Sequence, residues 1–240
     1  AGQVALLGFP NVGKSQLVSI TTEASPEVGD YPFTTHTPTP GMTKFENIQI
    51  QLIDSPPITD QHARSWLPGI FRSVDALLIL VDLSDDPTGQ VETIIQELEK
   101  LRIKPVGAEA LGGQEQGVIQ KRALIVGNKN DLSNSGENYR KLSSKYAEEF
   151  QVISISAKEG TGLDELKREL YQVLDIIRVY TKSTGKNPDF DEPVILKRGS
   201  TVEDFAESIH KDFRQKFKYA QIWGSGKYEG QRVGREHIPQ

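Results

Sequence analysis

The sequence predicts an α/β fold, a mostly parallel sheet flanked by helices, followed by a small α+β module. Three features carry that expectation. Apolar runs of strand length alternate with stretches of helical period. A glycine-containing loop stands between the first apolar run and the first helix. A turn-rich stretch without period, Tyr180 to Phe190 (YTKSTGKNPDF), separates that region from a tail with a different pattern.

Val4 to Leu7 is a short apolar run ended by Gly8, the pattern of a buried strand. A helix is expected from Lys14 to about Thr22. Glu23 to Met42 holds four prolines and many threonines with no period, and reads as one long loop. Asn47 to Asp54 (NIQIQLID) alternates and then turns apolar, as a strand does. Ala76 to Asp82 (ALLILVD), Ala123 to Gly127 and Val152 to Ile155 are further buried strands. Between them lie helical patterns: Val91-Ile94-Ile95-Leu98-Leu101, and Leu163-Leu166-Leu170-Val173-Leu174-Ile177. Lys104 to Gln120, rich in Gly and Gln, reads as a surface loop. In the tail, strand-like pieces at Pro193 to Lys197 and Tyr219 to Trp223 flank a helix capped by Thr201 and built on Val202-Phe205-Ala206-Ile209.

Composition narrows the functional classes. The 240 residues carry a net charge of −5 and no cysteine, which excludes disulfides and cysteine metal sites. No stretch approaches the ~18–20 apolar residues of a membrane span. The N-terminus runs into a strand without a signal-peptide pattern, and a cytoplasmic location is expected. Ala1 in place of Met and the unfinished end at His237 to Gln240 read as the limits of a piece of a longer protein.

A set of ordered motifs carries the chemistry. Gly8-Phe9-Pro10-Asn11-Val12-Gly13-Lys14-Ser15 matches G-x-x-x-x-G-K-[ST] between a strand and a helix, the context a P-loop requires. Its backbone N–H groups and the helix N-terminus suit phosphates. Lys14 would neutralise the β- and γ-phosphates, and Ser15 would offer its hydroxyl to Mg²⁺. Asn128-Lys129-Asn130-Asp131 follows a buried strand. Asp131 can accept from the N1–H and 2-amino edge of guanine, which adenine lacks; Asn128 can bond loop and base, and the Lys129 stem can cover the ring. Alone, such a tetrapeptide is usually a turn. At the C-terminal edge of a parallel sheet it stands where ligands bind. After the next strand, Ser156-Ala157-Lys158 would supply the Ala157 N–H to guanine O6. Asp54 ends a strand where it can hold Mg²⁺ through water, and Phe33-Thr34-Thr35 places a threonine in the long loop that can reach the metal only when a γ-phosphate is present.

Together GFPNVGKS, YPFTT at Tyr31 to Thr35, Asp54 with its two prolines, NKND and SAK resemble the Obg/DRG family of translation-type GTPases over roughly Gln3 to Tyr180. The tail, ILKRGSTVEDFAESIHKDF to YAQIWGSGKYEGQRVG, resembles a TGS domain, a β-grasp module, without its final strand. The resemblance implies a G domain over 1–181, a TGS domain over 182–240 incomplete at its C-terminus, and hydrolysis of GTP to GDP. It makes Lys14 and Thr35 the catalytic pair, with Thr35 rather than Thr34 on Mg²⁺ beside Ser15 and Asp54. It matches Asn11 to the asparagine that helps hold K⁺ in related potassium-dependent GTPases.

The third motif departs from the family's Asp-x-x-Gly: it reads Asp54-Ser55-Pro56-Pro57. Pro57 has no N–H to offer a γ-phosphate. Where Ras-type enzymes place a water-orienting Gln stands Ile58; Obg-type members also carry a hydrophobic residue there. Gln61 and His62 lie near enough in sequence to orient water but read better as solvated loop, Asp60 and Asp82 as turn or cap residues, and His36 as a polar loop residue. Slow turnover is expected, with a regulatory scaffold of negligible hydrolysis as the rival and an ATPase disfavoured by Asp131. From Lys211 onward seven Lys/Arg face three Asp/Glu, interleaved with Phe213, Phe217, Tyr219, Trp223 and Tyr228. That pattern suits either a small core with a solvated face or RNA. The resemblance favours RNA or the ribosome, beside a regulatory partner protein, with neither membrane nor DNA expected.

Overall fold

The computed structural model describes residues 2–22, 39–60, 62–108, 116–182, 187–210, 212–213, 217–224, 226 and 228–239. The contacts divide the chain between Leu174 and Asp175.

In the first unit, β1 (Gly2–Leu7), β2 (Thr39–Phe45), β3 (Ile48–Asp54), β4 (Ala76–Asp82), β5 (Ile103–Val106), β6 (Ile119–Asn128) and β7 (Gln151–Ser154) form one sheet. Its order is β2-β3-β1-β4-β6-β5, with β7 also on β6, and only β2–β3 is antiparallel. β5 pairs with 119–122 and β7 with 124–127, so the two lie end to end along one side of β6. Both faces are covered, which is why β1 and β4 are apolar at consecutive positions rather than at alternate ones.

Helices α2 (Leu67–Ser73), α3 (Pro87–Lys100) and α4 (Ser135–Tyr146) send Phe71, Ile94 and Leu142 into one core with Leu77, Ile79 and Ile125. Helices α1 (Lys14–Thr21) and α5 (Leu163–Leu174) pack on β2, β3, β6 and β7 through Leu17, Leu166 and Leu170. Local chemistry sets the start of α3: Pro87 occupies its first turn, and the Asp86 carboxylate accepts from the Gly89 N–H at 3.0 Å.

Several expectations are corrected. The long loop ends earlier than Met42, because Thr39–Phe45 pairs along β3. Lys104 lies in β5, not in a loop; Ile103 and Val106 are buried, and the interposed Pro105 sits on the outer strand of the pair. The period that ran to Ile177 ends with α5 at Leu174, since Ile176–Val179 is a strand. α2 and α4 carried no sequence expectation; α4 buries only Ser135, Leu142 and Tyr146, too few apolar residues to show a stripe.

In the second unit, β8 (Ile176–Val179) pairs antiparallel with β9 (Val194–Lys197), and β10 (Ala220–Ile222) with β11 (Gln231–Val233). The β8 pairing therefore starts this unit ahead of the boundary expected after residue 181. α6 (Val202–Ile209) opens on a reciprocal cap: Thr201 Oγ1 accepts from the Asp204 N–H, and Asp204 Oδ2 accepts from the Thr201 N–H at 2.7 Å. Among the described residues no helix is long and apolar enough to cross a membrane.

Candidate functional site

The parallel strands present their C-terminal ends along one edge, and the motifs stand there. Register pairs Leu6 with Asp54, Asp82 with Asn128 and Gly127 with Ser154. Gly8, Asp54, Asp82, Asn128 and the 156–158 loop thus follow the strand ends in turn.

The loop from Gly8 to Ser15 turns through left-handed backbone at Asn11 (φ 63°) and Gly13 (φ 97°). A Cβ on Gly13 would stand 2.4 Å from Asn128 Nδ2, so glycine is required there for conformation and for space. Lys14, only 8% exposed, donates to the carbonyls of Gly8 (3.1 Å) and Phe9 (2.9 Å). Burial pulls its ammonium below the ordinary lysine range, against the Asp54 charge, which raises it. The loop thus keeps a positive group at the N-terminus of α1, where phosphate oxygens would relieve its desolvation.

Ser15 Oγ donates to Asp54 Oδ2 at 2.5 Å. One hydroxyl and one carboxylate, hard oxygen donors side by side, are the partial set that Mg²⁺ takes when phosphate and water complete its shell. Among the described residues no cluster of three or more His, Cys, Asp or Glu could hold a metal by itself. Thr35, the third expected ligand, lies with Phe33, Thr34 and His36 outside the described residues.

Beyond Asp54 the chain is pinned. Ser55 Oγ donates to the Leu6 carbonyl, and Ile58, 3% exposed, packs into the core with Ala63 and Leu67. The Asp60 N–H donates to the Pro57 carbonyl at 2.8 Å, and Asp60 Oδ1 accepts from the His62 N–H at 2.9 Å. Asp60 is thus a turn former. His62 is exposed, and Gln61 lies outside the described residues.

The base end is wired to the phosphate end. Asn128, 2% exposed, donates through Nδ2 to the Val12 carbonyl at 2.8 Å and accepts through Oδ1 from the Ala157 N–H at 2.9 Å. The Ala157 N–H expected on guanine O6 is therefore directed at Asn128 here. Asp131 is exposed, and its Oδ1 accepts from the buried Ser156 hydroxyl at 2.6 Å. The Ser156 hydrogen bond holds the Asp131 carboxyl below its ordinary range. Ser156 Oγ in turn accepts from the Glu159 N–H at 3.0 Å. Lys158 is exposed beside Glu159. Lys129 stands at φ 66°, a left-handed conformation that costs a side-chain-bearing residue about 1–2 kcal/mol. Its ammonium donates to Asp82 Oδ2.

Asp82, expected as a turn or cap residue, stands at the edge of the site. It does form a turn, since Oδ1 accepts from the Ser84 N–H (2.8 Å) and hydroxyl (2.6 Å). Its second oxygen is committed to Lys129. The signal available in the sequence was its place at the end of a buried strand; the pairing of that strand with the one ending in Asn128 is decided by the fold.

Comparison with known proteins gives the chain's relatives. Residues 3–110 match the family described as 50S ribosome-binding GTPase, and residues 177–238 match the TGS domain. An uncharacterized GTP-binding protein of Methanocaldococcus jannaschii is 34% identical over 97% of this chain and 74% of its own length. Developmentally-regulated G-protein 3 of Arabidopsis thaliana is 31% identical over 98% and 78%. The first alignment runs over 292 positions against 240 residues here, so that relative carries residues without a counterpart in this chain. Among solved structures, Aquifex aeolicus Era bound to GDP and AlF₄⁻ has a TM-score of 0.53 at 22% identity, over 87% of this chain and 64% of that one. The G domain of the T. maritima iron transporter FeoB has a TM-score of 0.52 at 22% identity, over 72% and 98%. At those identities the likeness is one of fold.

Proposed function

The chain belongs to the family of GTP-binding proteins that join a GTPase domain to a TGS domain and include the developmentally-regulated GTP-binding proteins, and we propose that it hydrolyses GTP to GDP and phosphate as a nucleotide-dependent switch. The observation that carries the reading is the Ser15–Asp54 contact at 2.5 Å beside the buried Lys14. A narrower kinship with the Obg branch rests on GFPNVGKS, YPFTT, Asp54 with its two prolines, NKND and SAK taken together.

In the proposed reaction the oxygen of a water molecule attacks the γ-phosphorus, and the bond to the β–γ bridging oxygen breaks. GDP leaves, and the water's proton ends on the phosphate or in solvent. Lys14 and the N–H groups of the loop stabilise the charge spread over the equatorial and leaving oxygens. Ser15, Thr35 and Asp54, the last through water, would hold the Mg²⁺ that shares this task, with K⁺ beside Asn11 as the second cation. The Ile58 side chain is committed to the core and orients no water. Intrinsic turnover is therefore slow.

A specific observation favours the rival scaffold. Pro57 offers no N–H, and its carbonyl closes a turn onto Asp60, so this segment lacks the usual γ-phosphate contact. A protein that binds GDP and GTP equally shifts no equilibrium between two states.

For partners, the second unit exposes Tyr219, Trp223 and Tyr228. Arg232 lies 4.7 Å over the Tyr219 ring and Lys182 lies 4.4 Å over that of Trp223. Interleaved cations and aromatics suit RNA, and we assign this face to ribosomal or other RNA in the cytoplasm, with a regulatory protein as a second partner.

Phosphate release from GTP with Mg²⁺, compared in KCl and NaCl, tests the reading alongside affinities for GDP and a non-hydrolysable GTP analogue. Turnover that rises in K⁺ is expected. No turnover in either salt, with equal affinities, would establish the scaffold instead.

A further inference from the structure

We infer that Asp82 is a positioning residue for guanine: it grips the Lys129 ammonium and thereby sets the Lys129 stem as a wall of the base pocket. The inference rests on the guanine-nucleotide reading and deepens it.

A turn-forming aspartate at a strand end needs one oxygen, and Asp82 spends Oδ1 on Ser84 in that role. Oδ2 receives the Lys129 ammonium. The two residues are brought together by sheet register, because Asp82 pairs with Asn128, the neighbour of Lys129. The pair is sheltered: the Asp82 side chain is 15% exposed and that of Lys129 31%. Three further contacts make the mount rigid. The Asp82 N–H donates to Gln90 Oε1 of α3 at 3.0 Å. The Leu83 N–H donates to the Asn128 carbonyl at 3.0 Å. The Leu83 side chain fills the space beside Gly127, where a Cβ would meet it at 2.5 Å.

A lysine has four rotatable bonds and loses much rotamer freedom when it is ordered. Tied at one end by a left-handed backbone and at the other by Asp82, its stem is ordered before the nucleotide arrives. The base then meets an apolar wall already in place, and its residence time lengthens. Such a wall touches the face of the ring and does not read its edge. Asp82 therefore governs how long any purine nucleotide stays, while Asp131 governs which one.

The test measures dissociation of GDP and of IDP, which lacks the 2-amino group, from the full chain and from Asp82→Asn, Lys129→Met and the double variant. Asp82→Asn is expected to release both nucleotides about tenfold faster with the GDP-to-IDP ratio unchanged. In the Lys129→Met background Asp82→Asn is expected to add nothing, since its route of action is already gone. An equal further loss in that background would overturn the inference, as would an unchanged rate in Asp82→Asn alone. If Asp82→Asn does not fold, Ser84→Ala, which removes the hydroxyl half of the carboxylate's brace and leaves the backbone N–H in place, decides in the same way: faster release with Lys129 present and no effect with Met at that position. Failure of the unaltered chain to bind GDP would remove the guanine reading itself, a separate result.

Discussion

Asn128 reaches the carbonyl of Val12, 116 positions earlier in the chain, with a 2.8 Å hydrogen bond from its amide nitrogen. Its amide oxygen takes the Ala157 N–H, so one buried side chain joins the phosphate loop to both loops of the base end. Preorganisation of the site depends on that join.

Truncating it should therefore loosen both ends together. Asn128→Ala leaves the Val12 carbonyl and the Ala157 N–H without partners, and a loss of roughly 2–4 kcal/mol in stability is expected. Urea unfolding of the nucleotide-free protein measures it. GDP affinity should fall with it, and a variant that keeps wild-type affinity would show that the join is dispensable.

Gly13→Ala meets the same amide from the other side. The new Cβ would stand 2.4 Å from Asn128 Nδ2, at a φ that L-residues rarely adopt. Loss of nucleotide binding is expected, together with about 1–2 kcal/mol of backbone strain. Titration with a fluorescent GDP analogue reads the first effect and thermal unfolding the second.

Exchange of the edge-reading carboxylate should change the base preferred. Asp131→Asn offers a donor where guanine presents donors, and xanthine presents a carbonyl there instead. Competition of XDP against GDP should reverse in favour of XDP. Persistent guanine preference would remove Asp131 from the base contact.

The Asp82 pair also predicts a pH effect. Partial burial opposes ionisation of Asp82, but the hydrogen bonds from Lys129 and Ser84 outweigh it and hold the folded-state value below the ordinary 3.8. A depressed carboxylate contributes stability above its unfolded value, and that contribution is lost as pH falls through the folded one. Stability measured from pH 7 down to acid should therefore fall less steeply in Asp82→Asn than in the unaltered chain. Equal slopes would mean that the pair has no net effect on folding.

Much of the first unit was legible because its signals are local. An apolar run of six such as ALLILV has few ways to hide both faces, and a strand followed by GFPNVGKS turns where asparagine and glycine admit left-handed backbone. The elements missed were those whose signal is supplied by neighbours. β2 and β5 carry prolines and are strands because β3 and β6 offer them a paired edge. α4 is polar on most of its surface and is held by three buried side chains. β8 has the apolar residues of a continuing helix, and its pairing with β9 makes it a strand.

The sequence by itself determined the kinds of group this site contains: a buried lysine in a glycine-turned loop, hard oxygen donors for a cation, and a carboxylate for a base edge. Those identities are local chemistry, readable in windows of four to eight residues. Only the tertiary structure decided how the groups hold one another. The reach of Asn128 to Val12, the short contact of Ser15 with Asp54 and the grip of Asp82 on Lys129 depend on strand order and register. Register arises from burial summed over the whole sheet, and no window of the sequence contains it.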